Sequence, residues 1–220
     1  MIYTVIVLTI VAYLLGSIPS AVWIGKHFYG VDIREHGSKN AGTTNMLRVL
    51  GRRAAFPVFG IDFLKGFVAV TLSNLVEYLP EVEANDIYNL KILLVVAVVL
   101  GHIFPLFAHF KGGKGVATLA GAVMGVYPPA VLLCLAVWFF ILMATHYVSL
   151  SSIIAGCCFP AFILISPKTN GSISLIVFSF LVMILLIVTH RKNIKRLRDG
   201  TESKIYIWKK PVKKEPPKEE

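Results

Sequence analysis

The chain has 220 residues, of which 56% are hydrophobic and only 15% charged, and its mean hydropathy of +0.73 excludes an ordinary soluble domain. Net charge is +10, from 22 Lys and Arg against 12 Asp and Glu. The basic residues cluster beside apolar runs instead of covering one face, which argues against nucleic acid and for loop bias at a membrane plus a pocket for an acidic substrate.

A helix crosses a bilayer in about 20 residues at 1.5 Å rise, and apolar runs of that order fall near 2–24, 54–76, 91–109, 116–145, 151–167 and 173–189. The first contains Gly16-Ser17-Ile18-Pro19-Ser20-Ala21, which resembles a cleavage site, but the apolar run resumes through Val22-Trp23-Ile24, so an uncleaved first span is expected. The run 116–145 is too long for one crossing and is interrupted by Gly125-Val126-Tyr127-Pro128-Pro129, where a proline pair removes two donors and disfavours helix just before it. Charge parity decides what that interruption is. The loop 25–53 carries Lys26, Arg34, Lys39, Arg48, Arg52 and Arg53, and the stretch after 189 opens with Arg191, Lys192, Lys195, Arg196 and Arg198. Both belong on the cytoplasmic side, which demands an even number of crossings between them and therefore a turn at Pro128-Pro129.

The expectation is an all-α integral membrane protein with seven transmembrane helices, N-terminus outside and C-terminus cytoplasmic. Glu77, Glu81, Glu83 and Asp86 then fall outside, and Lys111 and Lys114 inside. The 115–126 run is short for a full span and reads as a half-depth or strongly tilted helix. Residues 1–205 form the membrane domain. The remainder, 206–220, is rich in Lys, Pro and Glu, and from Lys209 on it reads as disordered. Cys134, Cys157 and Cys158 lie in apolar runs without redox or metal spacing and read as small core hydrophobes.

This arrangement places three polar motifs on one cytoplasmic face. The first is Gly37-Ser38-Lys39-Asn40-Ala41-Gly42-Thr43-Thr44-Asn45 with Arg48. It is either a solvated linker of turn formers or a run of backbone, hydroxyl and amide donors with one cation, suited to a phosphate. The second is Lys111-Gly112-Gly113-Lys114-Gly115, either a positive-inside anchor or a phosphate loop opening onto a helix N-terminus. It is not a Walker A loop, because Gly115 follows Lys114 where Ser or Thr is needed. Lys114 is the expected phosphate contact.

The third motif is His190-Arg191-Lys192-Asn193, whose His190 and Asn193 share one helical face. Alone, His190 would read as an interfacial cap; beside two further anion loops it reads as functional. Asp62 and Lys65 interrupt the second span as an ion pair or a pocket element, and His102 is an intramembrane packing residue. His27 and Asp32 match the spacing of a His/Asp acyltransferase base, but the pattern is two residues long and lacks partner blocks. No metal-ligand pattern is present, and neither metal nor cofactor is expected.

Taken together, Gly16-Ser17-Ile18-Pro19-Ser20-Ala21, the loop 37–48, Asp62-Phe63-Leu64-Lys65-Gly66, Gly101-His102, Phe110-Lys111-Gly112-Gly113-Lys114-Gly115-Val116-Ala117-Thr118 and His190-Arg191-Lys192-Asn193-Ile194 closely resemble the bacterial acyl-phosphate-dependent glycerol-3-phosphate acyltransferases, over about residues 5–205. The resemblance implies a multi-pass enzyme of the bacterial cytoplasmic (inner) membrane. It implies transfer of a fatty acyl group from acyl phosphate to the sn-1 hydroxyl of glycerol 3-phosphate, giving lysophosphatidate and inorganic phosphate in phospholipid biosynthesis. An acyl-phosphate-producing enzyme is the implied neighbour.

By resemblance, Ser38, Arg48, Lys114, His190 and Asn193 are the catalytic residues. Gly37, Asn40, Gly42, Thr44, Asn45, Gly112, Gly113 and Glu202 are the substrate-binding ones. Two positions depart from the usual family pattern, which reads Gly-Ser-Gly-Asn and Gly-Ala-Thr-Asn where this chain has Lys39 and Thr43. Lys39 is strained if the family glycine serves a positive φ; otherwise it adds a cation at the mouth. Two proton acceptors fit, His190 or the substrate's own phosphate. A transporter or exchanger of phosphorylated small molecules is the alternative, and the absence of an obvious inverted repeat weighs against it.

Overall fold

The computed structural model describes residues 2–77, 84–166 and 173–206, and every regular element among them is helical. In chain order these are α1 (Ile2–Gly16), α2 (Ser20–Tyr29), α3 (Thr43–Val49), α4 (Arg52–Thr71), α5 (Asn74–Glu77) and α6 (Ala84–Ile103). After a 3₁₀ turn at Leu106–Ala108 come α7 (Val116–Val126), α8 (Pro128–Thr145), α9 (Val148–Leu164), α10 (Ile173–Thr189) and α11 (Arg191–Arg198). Glu81 and Glu83, and the tail beyond Tyr206, lie outside the described residues.

The expected turn at the proline pair is present. α7 ends at Val126 and α8 starts at Pro128, with the two prolines in its first turn where a missing N–H costs nothing. By length and composition, four segments suffice to cross a membrane: Ile2–Tyr29, Arg52–Val76, Asp86–Ala108 and Pro128–Thr145. α10 with α11, bent by 59° at His190, makes a fifth if taken as one, and α7 and α9 are shorter apolar helices. The first apolar run is broken into α1 and α2 at residues 17–19, which sequence periodicity does not reveal.

Apolar side chains form most of the core and also cover the outside, and a set of polar side chains is buried among them. Phe56, Leu64, Phe140 and Leu181 point outward, 67%, 57%, 70% and 56% exposed, whereas Ser20, Asp62, Lys65, His102, Thr118, Ser149 and Ser152 are buried. An apolar outer surface is expected where the surrounding solvent is hydrocarbon. Cys157 departs from its expected core position and is exposed on the outer face, while the Cys134 Sγ–H donates to the Ala155 carbonyl at 3.4 Å.

Glycine lets the helices approach backbone to backbone. A Cβ at Gly66 would sit 2.0 Å from the Thr118 carbonyl oxygen and one at Gly121 would sit 1.9 Å from that of Phe63, so α4 and α7 lock together. Helices α8, α9 and α10 pack side by side. α7 touches α8 as well as α4, and so joins the two sets.

Candidate active site

The first loop is wound around one buried side chain. Asn45, 1% exposed, accepts the Ser38 N–H at Oδ1 (2.8 Å) and donates through Nδ2 to the Ile33 and His36 carbonyls, both at 3.0 Å. Its amide is therefore occupied in shaping the loop. Gly37 belongs to the same knot, with φ +59° and no room for a Cβ, which would lie 2.4 Å from Asn45 Oδ1. Lys39 has φ +58° and an exposed side chain; the backbone here asks for glycine, and the lysine carries strain.

Arg34 donates from Nε and Nη2 to the two oxygens of Asp32 and from Nη1 to the Ala108 carbonyl at 3.1 Å, tying the first loop to the 3₁₀ turn. The Arg34 hydrogen bond outweighs burial and holds the Asp32 carboxyl well below its usual range. With Asp32 so engaged and His27 exposed against the Phe28 ring, the two do not form a base pair.

The three polar motifs, residues 37–48 (loop one), 111–115 (loop two) and 190–193 (loop three, the bend from α10 into α11), meet in a cavity of about 330 Å³. Of the residues expected at the site, Ser38, Asn40, Gly42, Thr44, Asn45, Arg48, Lys114, His190, Asn193 and Glu202 line it. Gly37, Gly112 and Gly113 do not. The two glycines of loop two instead form its underside, donating their N–H groups to the Ile103 and His102 carbonyls at 3.2 Å each.

Glu202 is the hub of the cavity's polar end. Its carboxylate, with a side chain 1% exposed, accepts from Arg196 Nε at 2.6 Å, Asn193 Nδ2 at 2.8 Å and Ser149 Oγ at 3.0 Å, and pairs with Arg48 at 3.4 Å. Burial alone would raise this carboxyl; the bonds from Arg196, Asn193 and Ser149 outweigh burial and hold it below its ordinary value. Asn193 also accepts a hydrogen bond from Lys114 Nζ. Burial lowers the Lys114 ammonium to about 8, with Arg196 and Arg48 adding to the fall and Glu202 opposing it.

His190, one residue past the end of α10, donates from Nδ1 to the Leu186 carbonyl at 2.8 Å, which leaves Nε2 as an acceptor. Burial, and then the Lys114 charge, bring its pKa down to about 4. Among the described residues, Arg48 Nε and Thr43 Oγ1 are buried without a hydrogen-bond partner; both residues line the cavity and leave a donor for a ligand.

From this polar end the cavity runs on between the helices, lined by Leu119 and Val123 of α7, Val131, Leu135 and Trp138 of α8, Ala155, Gly156 and Phe159 of α9, and Val182 and Leu186 of α10. Trp138 is fixed by its Nε1–H to Ser152 Oγ at 3.2 Å. One cavity thus joins a cationic, hydrogen-bonding head to an apolar tail.

Residues 6–200 match the family described as glycerol-3-phosphate acyltransferase. The chain belongs to the glycerol-3-phosphate acyltransferase family. A family member from Staphylococcus carnosus (strain TM300) is 43% identical over 201 residues, covering 91% of this chain and 98% of its own length. One from Clostridioides difficile (strain 630) is 44% identical over 204 residues, covering 93% and 97%. Among solved structures, the integral membrane glycerol 3-phosphate acyltransferase PlsY (YgiH) in its glycerol 3-phosphate form superposes with a TM-score of 0.80 at 38% identity, covering 92% of this chain and 96% of that one. Its lysophosphatidic acid form gives 0.77 at 37% identity, covering 92% and 95%. The chain is accordingly an integral membrane acyltransferase of lipid biosynthesis.

Sequence reasoning about this acyltransferase missed Ser149 and Arg196, which hold Glu202, and the cavity-lining place of His102, whereas Asp62 is both of the things expected of it, paired with Lys65 and lining the cavity. One serine of three between and at the start of apolar runs, and one arginine among five basic residues, carry no local signal.

Proposed function

We propose that this acyltransferase moves a fatty acyl group from acyl phosphate to the sn-1 hydroxyl of glycerol 3-phosphate, at the cytoplasmic face of a bacterial inner membrane. The observation that carries this reading is the single cavity whose cationic head continues into an apolar channel between α7, α8, α9 and α10. An acyl phosphate has that polarity: a dianionic head, a reactive carbonyl and a long apolar tail. The solved relative, with its glycerol 3-phosphate and lysophosphatidic acid forms, supports the same substrate and product for this chain. The membrane arrangement proposed with it is seven crossings, α7 and α9 serving as two of them, with the three loops inside.

In the proposed reaction the glycerol oxygen attacks the acyl carbonyl carbon, the bond from that carbon to the bridging phosphate oxygen breaks, and inorganic phosphate leaves. Bringing two anionic head groups together is the main barrier, so fixed donors supply most of the rate. Lys114, Arg48, Ser38 and the loop-one backbone hold the phosphates, with Asn40, Gly42, Thr44 and Glu202 completing the head. Asn193 sets the Lys114 ammonium. His190, with Nδ1–H committed to Leu186 and a pKa near 4, is too weak a base to keep the hydroxyl proton. Its Nε2 orients the hydroxyl, and the proton passes to a phosphate oxygen, whose second pKa lies near 6. An enzyme that makes acyl phosphate is the partner this chemistry requires.

The test is inorganic phosphate release by detergent-purified protein given palmitoyl phosphate and glycerol 3-phosphate, with palmitoyl-CoA as the competing donor. Release that depends on glycerol 3-phosphate is expected. Acyl transfer from the thioester alone would overturn the donor assignment, and uptake of glycerol 3-phosphate into vesicles without phosphate release would mark a transporter.

A further inference from the structure

Beneath the phosphate loops lies a buried polar network that the mechanism above does not use. Asp62 Oδ1 accepts from Ser20 Oγ at 2.7 Å and pairs with Lys65 Nζ at 2.8 Å. Lys65 also donates to the Ile18 carbonyl at 2.9 Å, satisfying an oxygen that the break between α1 and α2 leaves outside helix. His102 Nδ1 lies 3.5 Å from Asp62 Oδ1 and 3.0 Å from Thr118 Oγ1. Asp62, Lys65, His102, Ser20 and Thr118 are each at most 6% exposed.

Ionised groups placed this deep are costly, and apolar replacements of similar volume are often as stable or more so. Stability alone therefore gives a weak reason for the network. Its position gives a stronger one. His102 closes α6, and the Gly-Gly-Lys-Gly loop is laid flat on it: the His102 carbonyl takes the Gly113 N–H at 3.2 Å, and a Cβ at Gly113 would lie 2.2 Å from His102 Nε2. The same Cβ would lie 2.9 Å from the Ala41 carbonyl of loop one, so His102, Gly113 and loop one are stacked in contact. Thr118, bonded to the ring's other nitrogen, sits in the first turn of α7, on the far side of Lys114. The imidazole thus touches both flanks of the lysine, and Asp62 and Ser20 fix the imidazole against α4 and α2.

We infer that His102, oriented by Asp62 and Thr118, is a positioning residue that sets the register of the Gly112 to Lys114 loop against loop one, and so fixes where the Lys114 ammonium meets the phosphate of glycerol 3-phosphate. The inference rests on the proposed role of Lys114. Asp62 and His102 also line the cavity, whereas Thr118 does not, so T118V reads the positioning effect without a direct contact to substrate. The effect of the three side chains passes through the loop backbone, and losing it misplaces a charge that must hold the phosphate from the first encounter, so binding suffers more than turnover.

The experiment measures initial rates against glycerol 3-phosphate at saturating palmitoyl phosphate, with the thermal midpoint of each purified variant beside them. H102L is expected to raise KM for glycerol 3-phosphate about tenfold, the scale set by one or two lost buried hydrogen bonds, with a smaller change in kcat. H102N, which keeps an amide at the Nδ1 position, is expected to restore most of that loss. T118V, near in volume and confined to one hydrogen bond, is expected to give a rise of about threefold while folding as wild type does. Should H102L fail to fold, T118V and H102N decide. Folded variants whose KM stays within about twofold of wild type, whatever their thermal midpoints, would show a merely structural network and overturn the inference, as would a T118V that does not fold. Wild-type protein that transfers no acyl group to glycerol 3-phosphate would instead remove the reading of Lys114, and the inference with it.

Discussion

Lys114 carries its charge where burial has lowered the ammonium to about 8, and the sign of that shift fixes a pH dependence. A depressed lysine loses its proton as pH rises through its pKa, so the charged form proposed to bind phosphate is the one present below about 8. We expect kcat/KM for glycerol 3-phosphate, which reports the free enzyme, to fall above that pH. In K114R the remaining rate should show no such limb, since guanidinium stays charged far above that pH. K114M is expected to lose nearly all activity with an unchanged thermal midpoint; activity within a few-fold of wild type would remove the role given to this lysine. Lys39 makes a separate prediction. Its φ of +58° costs an ordinary side chain about 1–2 kcal/mol, part of which glycine returns through the freedom of the unfolded chain. K39G should therefore match or exceed wild type in stability by up to about 1 kcal/mol, and K39V, branched at Cβ, should fall below it in the same melting experiment.

At the scale of elements, the segment after α11 is tied down by more than its own length suggests. The Ile205 N–H donates to the His146 carbonyl at 2.8 Å, the His146 and Tyr206 rings lie 4.6 Å apart, Lys204 sits 5.3 Å from the Tyr147 ring centroid, and Arg48 donates to the Ser203 carbonyl at 3.1 Å. All of these contacts flank Glu202. E202A removes the shared acceptor of Arg196, Asn193 and Ser149 and should cost on the order of 2–3 kcal/mol, the range for hydrogen bonds to a charged group together with the buried donors left behind. E202Q, which keeps an oxygen for Asn193 and Ser149, should cost less. Because the folded-state pKa of Glu202 is depressed, its contribution is present above the unfolded value near 4.5 and fades as pH falls through the folded one. Melts of wild type and E202Q should therefore converge at acid pH; curves that stay parallel from neutral pH downward would argue against the linkage.

At the scale of the molecule, what was legible in the sequence and what was not divide along the range of the physics. The short α7 and the interruption at Pro128-Pro129 followed from local rules of backbone and hydropathy, while reading that interruption as a turn and grouping the three motifs both needed the charge bias of distant loops. The Asn45 knot, the Ser20–Asp62–His102 network and the Glu202 hub depend on partners up to 154 residues apart, as Arg48 and Glu202 are, and no pattern at helical period encodes such a pairing. The break between α1 and α2 escaped for a related reason: the Ile18 carbonyl there is held by Lys65, on another helix, as well as by the Ser20 N–H.

The side assigned to each loop is itself a whole-molecule quantity with a direct test. The grouping of loops one, two and three requires residues 25–53, 110–115 and beyond 189 to share the cytoplasmic side, and Asp86 to face the other. In a variant with Cys134, Cys157 and Cys158 replaced by serine or alanine, single cysteines at Lys39, Lys111 and Lys192, all exposed, should react with a membrane-impermeant maleimide only in inside-out vesicles. A cysteine at Asp86 should react only in right-side-out ones. Labelling of Lys39 and Lys192 from opposite sides would mean an odd number of crossings between them. That would separate the loops that the cavity joins, and with them the proposed meeting of a soluble phosphate substrate and a bilayer-borne acyl donor at one cytoplasmic mouth.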